Sequence, residues 1–130
     1  MSKIWKSMAV AVALVAVPQI SLAFTAPKGA RVNPLQTGGF EVVPRGAVNS
    51  DVYWCAAASY ARRVLGAPWR DHVVVTRGRG LSVTTGRRTA VQFTTVARAN
   101  AGVTAGNLAK GQSMSVQRAN TFCRIPAARL

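Results

Sequence analysis

The chain has 130 residues, of which 17 are Lys or Arg and only three are Asp or Glu, so its formal net charge is +14. Two cysteines and one histidine complete a short inventory of reactive side chains. A glycosidase needs two carboxylates facing one bond, and a tetrahedral zinc site needs four ligands, so the composition argues against both. We therefore expect no metal site and no cofactor, whereas the positive charge indicates attraction to polyanions.

The amino-terminal segment, residues 1–23, has the pattern of a secretory signal peptide. Lys3 and Lys6 precede an apolar run over residues 8–17, and small residues follow at the positions that a signal peptidase reads. This run is about half of the ~20 residues that a membrane span needs, so no transmembrane span is expected. The sequence predicts an exported protein, periplasmic or extracellular, that begins near Phe24. It would keep 15 basic residues against three acids, a net charge of +12.

The remaining chain predicts one small domain between two irregular ends. Residues 24–37 contain two prolines and one glycine, so we expect a flexible arm there. The single domain is expected over residues 38–125, followed by a tail over residues 126–130.

Hydrophobic spacing and turn residues predict the elements of this domain. In chain order we expect a strand at 40–43, a helix from Asn49 or Ser50 to Leu65, strands at 72–77 and 89–95, a loop or weak helical turn over 97–112, and a last helix capped by Ser113 or Ser115. The order β-α-β-β-α predicts an α+β fold, with a small antiparallel sheet and two helices on one face. Trp54 and Trp69 are expected in its core.

Cys55 and Cys123 are expected to form one disulfide, because an even and minimal number of cysteines in an oxidising compartment favours pairing. The bond would close a loop of 68 residues. On the chain-entropy model such a loop contributes about 4 kcal/mol to the free energy of unfolding.

Several short segments resemble a wider group of proteins. They are YWC (53–55), YARRVLG (60–66), RGRG (77–80), TGRRTAV (85–91) and NTFC (120–123). With these segments the chain is similar to small exported bacterial proteins that have no assigned function, over most of residues 50–123. The resemblance implies a single disulfide-bonded domain, and it carries no catalytic residue.

A cysteine and a histidine offer one alternative function, a cysteine-type cell-wall hydrolase. The order of Cys55 on a helix and His72 at the start of a strand loosely resembles the papain-like peptidoglycan amidases. Such chemistry needs a thiolate whose pKa is lowered by a helix N-terminus and by an adjacent imidazole. Cys55 lies too far into its helix for that, and Cys123 offers it a structural partner.

A glycine- and arginine-rich loop over residues 78–88 is the main candidate for binding. Arg77 and Arg79 would share a face if their strand continued, and Arg87 and Arg88 would return on the other limb of a projecting hairpin. Glycines let backbone N–H groups converge on an anion, and arginines bind phosphate or carboxylate in a bidentate manner. The alternative is a solvated hairpin tip, with a charge that reflects only an arginine-rich composition.

These observations favour a binding module for an anionic envelope partner: lipopolysaccharide, a cell-wall polymer, nucleic acid or a membrane surface. The alternatives are the cysteine-type hydrolase and a structural envelope component. The sequence leaves the oligomeric state open.

Overall fold

The computed structural model describes residues 24–46, 48–97 and 107–124. The predicted signal peptide, most of the predicted loop over 97–112 and the predicted tail lie outside these ranges. The fold is α+β, as predicted, and its elements are β1 (Phe24–Thr25), β2 (Arg31–Pro34), β3 (Phe40–Val43), α1 (Ser50–Arg63), β4 (His72–Gly80), β5 (Ala90–Val96), β6 (Ser113–Ser115) and α2 (Val116–Thr121), with a final 3-10 turn at Phe122–Arg124. The strands form one antiparallel sheet in the order β1-β2-β3-β5-β4-β6.

The prediction of a flexible arm over residues 24–37 is wrong, because this segment supplies two strands of the sheet. The N–H of Ala26 donates to the carbonyl of Ala30 at 2.8 Å, and Gly29 takes a positive φ of 89° in the tight turn between them. Val32 is fully buried and pairs with Val42 of β3. Pro27 and Gly29 therefore lie in the turn between β1 and β2, and Pro34 is the last residue of β2.

The sheet also has more strands than the prediction gave it. The three-residue strand β6 was not predicted, and β4 runs to Gly80 instead of residue 77. The predicted cap of the last helix is confirmed, since the hydroxyl of Ser115 accepts a hydrogen bond from the N–H of Arg118 at 3.1 Å. The α1 helix begins where predicted and ends at Arg63.

One face of the sheet, which we call the helix face, packs against α1 and forms the core. Phe40 and Phe93 are cross-strand neighbours and both are fully buried. Trp54 of α1 meets Phe93 edge-on, with ring centroids 5.4 Å apart, so its predicted core position is confirmed. Trp69 is 42% exposed, which contradicts its predicted core position.

The disulfide between Cys55 and Cys123 is present and joins α1 to the 3-10 turn after α2. Cys55 is fully buried among the alanines of α1, whose small side chains allow α2 to pack closely against it. Within the described ranges no helix combines the length and the apolar character that a membrane crossing requires.

The opposite face of the sheet, which we call the outer face, carries polar side chains. Cross-strand pairing places Asn33, Glu41, Gln92 and Arg77 side by side across four adjacent strands. The connection between β4 and β5, residues 81–89, folds back over this row, and we call it the covering loop. The prediction that this loop projects from the strands is therefore wrong.

Candidate anion-binding site

The covering loop is fixed to the sheet by one buried carboxylate. The side chain of Glu41 has no exposed surface, although it lies in a short and otherwise apolar strand. Its Oε1 accepts hydrogen bonds from the hydroxyls of Ser82 at 2.5 Å and Thr84 at 2.7 Å. Its Oε2 accepts from the N–H of Val83 at 3.1 Å and from the Gln92 amide at 3.2 Å. Both carboxylate oxygens are thus satisfied by the loop and the neighbouring strand.

These donors keep Glu41 ionised. Burial by itself raises the pKa of a carboxyl group, but hydrogen bonds to the charged form lower it. In Glu41 the bonds from Ser82, Thr84, Val83 and Gln92 outweigh burial, and the pKa lies below its ordinary value. Nη2 of Arg77 lies 3.9 Å from Oε2 and forms an ion pair with this carboxylate.

The covering loop has its own internal hydrogen bonds. The hydroxyl of Ser82 accepts from the N–H groups of Thr84 at 3.2 Å and Thr85 at 2.9 Å, and the N–H of Ser82 donates to the carbonyl of Arg87 at 2.6 Å. Gly86 completes the turn with a positive φ of 79°. Backbone N–H groups of this loop do converge on an anion, but that anion is the protein's own Glu41.

The structure does not bring the four predicted arginines together. Arg77 lies on the outer face against Glu41, whereas the guanidinium of Arg79 lies 5.2 Å from the ring of Tyr53, a residue of α1. The pairing of β4 with β5 shifts register twice between Val75 and Gly80, and such irregularities re-aim side chains. The prediction that Arg77 and Arg79 share a face is therefore wrong.

The other two arginines lie on the covering loop. Nη1 of Arg87 donates to the carbonyl of Arg45 at 3.1 Å, which holds this end of the loop against the segment after β3. Arg88 is exposed. Of the four predicted residues, only Arg87 lines the cleft described next.

Three arginines line a cleft of about 570 Å³, which we call the arginine cleft. Arg31 of β2, Arg45 after β3 and Arg87 of the covering loop are its cleft arginines, with Val43 and Thr85 as further lining residues. Arg31 and Val43 are paired across β2 and β3. All three arginines are exposed, and none has an ion-pair partner in the described part of the chain.

This arrangement suits an anion with several oxygen atoms. A guanidinium offers a planar fork of N–H donors that matches phosphate and carboxylate, and it stays charged at any physiological pH. Thr85 is held in place by its own bonds, because its hydroxyl donates to Ser82 at 2.9 Å and accepts from the N–H of Arg87 at 3.2 Å. The cleft therefore presents three unneutralised cations around a fixed wall.

Sequence reasoning missed Arg31, Arg45 and Glu41. Arg31 reaches the cleft through strand pairing of a segment that was predicted to be a flexible arm, and Arg45 meets Arg87 because the covering loop folds back toward the end of β3. Glu41 carried a signal of its own, as an acid inside an apolar strand, Phe40–Val43. A charge at such a position is buried and needs partners.

The structure does not bring Cys55 and His72 together as a catalytic pair. Cys55 is bonded to Cys123, and no free cysteine remains among the described residues. His72 precedes the buried Val73, so strand alternation turns it toward the outer face. Its Nδ1 is buried without a hydrogen-bond partner in the described ranges. No cluster of three metal-ligating side chains occurs among these residues either.

Comparisons with protein-family models, with curated proteins and with solved structures found no match to this chain. The geometry and charge of the arginine cleft are therefore the basis for inferring a function.

Proposed function

We propose that this protein is an exported binding module for a phosphate-bearing polyanion of the cell envelope, and that the arginine cleft is its contact site. The observation that carries the proposal is the convergence of Arg31, Arg45 and Arg87 on one open cleft, where no carboxylate of the described residues neutralises them. Like charges repel one another, and an anion bound between the three arginines would remove that repulsion.

Two further features support the proposal. The Cys55–Cys123 disulfide favours an oxidising compartment, either periplasmic or extracellular, in agreement with the signal-peptide pattern of residues 1–23. Polyanions abundant there are lipopolysaccharide, phosphate-bearing wall polymers and released nucleic acid. Arg77 and Arg79 have partners within the protein, so they contribute to the positive field more than to direct contacts.

The test compares two variants of equal charge. One replaces the three cleft arginines by Gln, and its control replaces Arg63, Arg70 and Arg118, three exposed arginines elsewhere on the surface. Binding is measured by fluorescence anisotropy with labelled polyphosphate over a series of salt concentrations. Lipopolysaccharide, teichoic acid and a single-stranded oligonucleotide serve as competitors and rank the possible sources of phosphate.

We expect the cleft variant to lose most of the affinity and the control to bind nearly as the wild type does. Each phosphate contact contributes a slope of about −0.7 to −0.9 to the dependence of log affinity on log salt, so three lost contacts should flatten it by about 2 to 3. Equal losses in the two variants would show that attraction is a property of the whole surface. A wild type that binds no polyanion at physiological salt would overturn the proposal.

A further inference from the structure

The covering loop exposes two aliphatic side chains. Leu81 is 62% exposed and Val83 is 66% exposed, the two highest values among the large apolar residues that the structure describes. They flank Ser82, whose hydroxyl points inward to Glu41. Ser82 is buried against the sheet, whereas the side chains of Leu81 and Val83 on either side of it face the solvent.

Their exposure is enforced by the bonds of the loop. Ser82 is buried and donates to Glu41, the N–H of Val83 donates to the same carboxylate, and the side chain of Arg77 donates to the carbonyl of Leu81. These contacts hold the loop against the sheet on both sides of the aliphatic pair. Leu81 and Val83 therefore cannot turn inward without breaking charge-assisted hydrogen bonds.

The aliphatic pair and the arginine cleft lie on the same face of the molecule. The covering loop crosses the outer face, where Asn33 donates to the hydroxyl of Thr84 at 2.9 Å, and its next residues, Thr85 and Arg87, line the cleft. Two apolar side chains thus lie beside three arginines that have no ion-pair partner within the described ranges.

We propose that the phosphate-bearing partner is an anionic lipid surface, with Leu81 and Val83 inserted at the boundary of headgroups and acyl chains. The inference rests on the proposed function, because the cleft arginines bind the lipid phosphates. Basic residues beside exposed aliphatic ones are the combination that holds proteins at membrane interfaces. A soluble phosphate polymer offers no apolar phase for Leu81 and Val83, so their position favours lipid over nucleic acid.

A second apolar patch, at the carboxyl end of α1, provides the control. Val64, Leu65 and Trp69 are 51%, 48% and 42% exposed there. The nearby Arg62 is already engaged, since it donates to the carbonyl of Ala67 at 2.8 Å and lies 4.1 Å from the ring of Trp69. This patch adjoins the end of α1, which packs on the helix face, whereas the covering loop crosses the outer face.

The experiment measures co-sedimentation of the mature, oxidised protein with vesicles of phosphatidylglycerol in phosphatidylcholine, and with vesicles of phosphatidylcholine alone. Leu81→Ser with Val83→Ser is compared with Val64→Ser with Leu65→Ser, a matched pair of Leu and Val. We expect the loop variant to bind the anionic vesicles at least about tenfold more weakly, because each buried aliphatic side chain contributes strongly to transfer from water. The control should bind within about twofold of the wild type.

The cleft variant tests the electrostatic part on the same vesicles. One arginine near an anionic surface contributes roughly fivefold in affinity, so loss of three should weaken binding about 100-fold. Binding to soluble polyphosphate separates the two proposals, since the loop variant should bind it as the wild type does. Reduced vesicle binding with unchanged polyphosphate binding identifies lipid as the source of the phosphate.

Three results would overturn the inference. They are vesicle binding by the loop variant equal to that of the wild type, a larger loss in the α1 control, and wild-type binding to polyphosphate without binding to phosphatidylglycerol vesicles. The last result would leave the proposed function intact with a soluble polymer as partner. As a second measurement, Leu81→Trp should show fluorescence quenching by brominated lipid beyond that of the native tryptophans, and absence of this quenching would also contradict insertion.

Discussion

Replacement of Glu41 by Gln should destabilise the protein far more than its conservative size suggests. The carboxylate accepts hydrogen bonds from two hydroxyls, two backbone N–H groups and one amide, and it pairs with Arg77. Glutamine keeps one oxygen and puts an NH₂ group where the second oxygen was. The hydroxyl groups and the Gln92 amide can rotate so that they accept a hydrogen bond from the new NH₂ group. A backbone N–H can only donate, so it cannot adapt in this way.

The magnitude follows from these contacts. Turned one way, the NH₂ of the new amide faces the N–H of Val83, and an unpaired buried N–H costs about 1–3 kcal/mol; turned the other way, it faces the N–H of Thr84, which keeps only its bond to the hydroxyl of Ser82. The remaining bonds change from charge-assisted to neutral, which removes roughly another 1 kcal/mol, and Arg77 loses its counter-charge. We therefore expect the free energy of unfolding to fall by about 3 kcal/mol. For a domain of this size the melting temperature would fall by about 10–20 °C.

Urea titration followed by circular dichroism measures this loss on the oxidised protein. Asp71→Asn is the matched control, since it makes the same change of charge at a carboxylate that is not fully buried, and it should stay within about 0.5 kcal/mol of the wild type. If Glu41→Gln also stayed within that range, the carboxylate would not fix the loop, and the account of the covering loop would be refuted.

Further predictions concern pH, the disulfide and one buried phenol. The folded state lowers the pKa of Glu41 below 4.5, so the carboxylate contributes fully to the free energy of unfolding above that pH. This contribution is lost as the pH falls through the pKa of the folded state. Acid titration should show the loss in the wild type and not in Glu41→Gln. Replacing Cys55 and Cys123 by Ser should lower the free energy of unfolding by about 4 kcal/mol, and an unchanged melting curve would contradict the chain-entropy argument. Alkylation should label neither cysteine before reduction. Labelling of Cys55 would contradict the disulfide and would favour the hydrolase alternative. Tyr53→Phe removes a 2.5 Å hydrogen bond to the carbonyl of Thr89 and should lower the free energy of unfolding by about 1 kcal/mol, as measured by thermal unfolding. In the wild type, burial raises the pKa of the Tyr53 phenol, so ultraviolet titration should find it ionising above 10.0.

Local patterns in the sequence were enough for the elements that pair over short distances or carry strong spacing. The strand at Phe40–Val43, the start of α1 and the cap at Ser115 were all predicted. The hairpin of β1 and β2 was not, because β1 has only two residues and β2 has a single β-branched residue, Val32, among Arg, Asn and Pro. Their pairing depends on β3, and turn residues look alike in a hairpin and in a flexible arm.

The candidate site could be predicted only in part, for a related reason. Arg87 was found from its local setting of glycines and arginines, whereas Arg31 and Arg45 join it through contacts between distant parts of the chain. The two register shifts in β4 could not be read from alternation, which by itself assigns Arg77 and Arg79 to one face. Glu41 could have indicated the covering loop from the sequence, because a buried acid between apolar neighbours requires hydrogen-bond donors from elsewhere in the chain.

Net charge and loop geometry predict opposite effects of Glu41→Gln on the binding of a polyanion. Removing a negative charge by Glu41→Gln raises the net charge, so attraction alone predicts tighter binding of a polyanion. In the structure, however, the carboxylate holds the covering loop, and the loop places Arg87 in the cleft. A loosened loop must be ordered again when the ligand binds, and this costs affinity. Below its melting temperature, Glu41→Gln should therefore bind phosphatidylglycerol vesicles and polyphosphate more weakly than the wild type, while Asp71→Asn binds them slightly more tightly. Tighter binding by both variants would mean that net charge governs attraction and that the cleft needs no fixed loop.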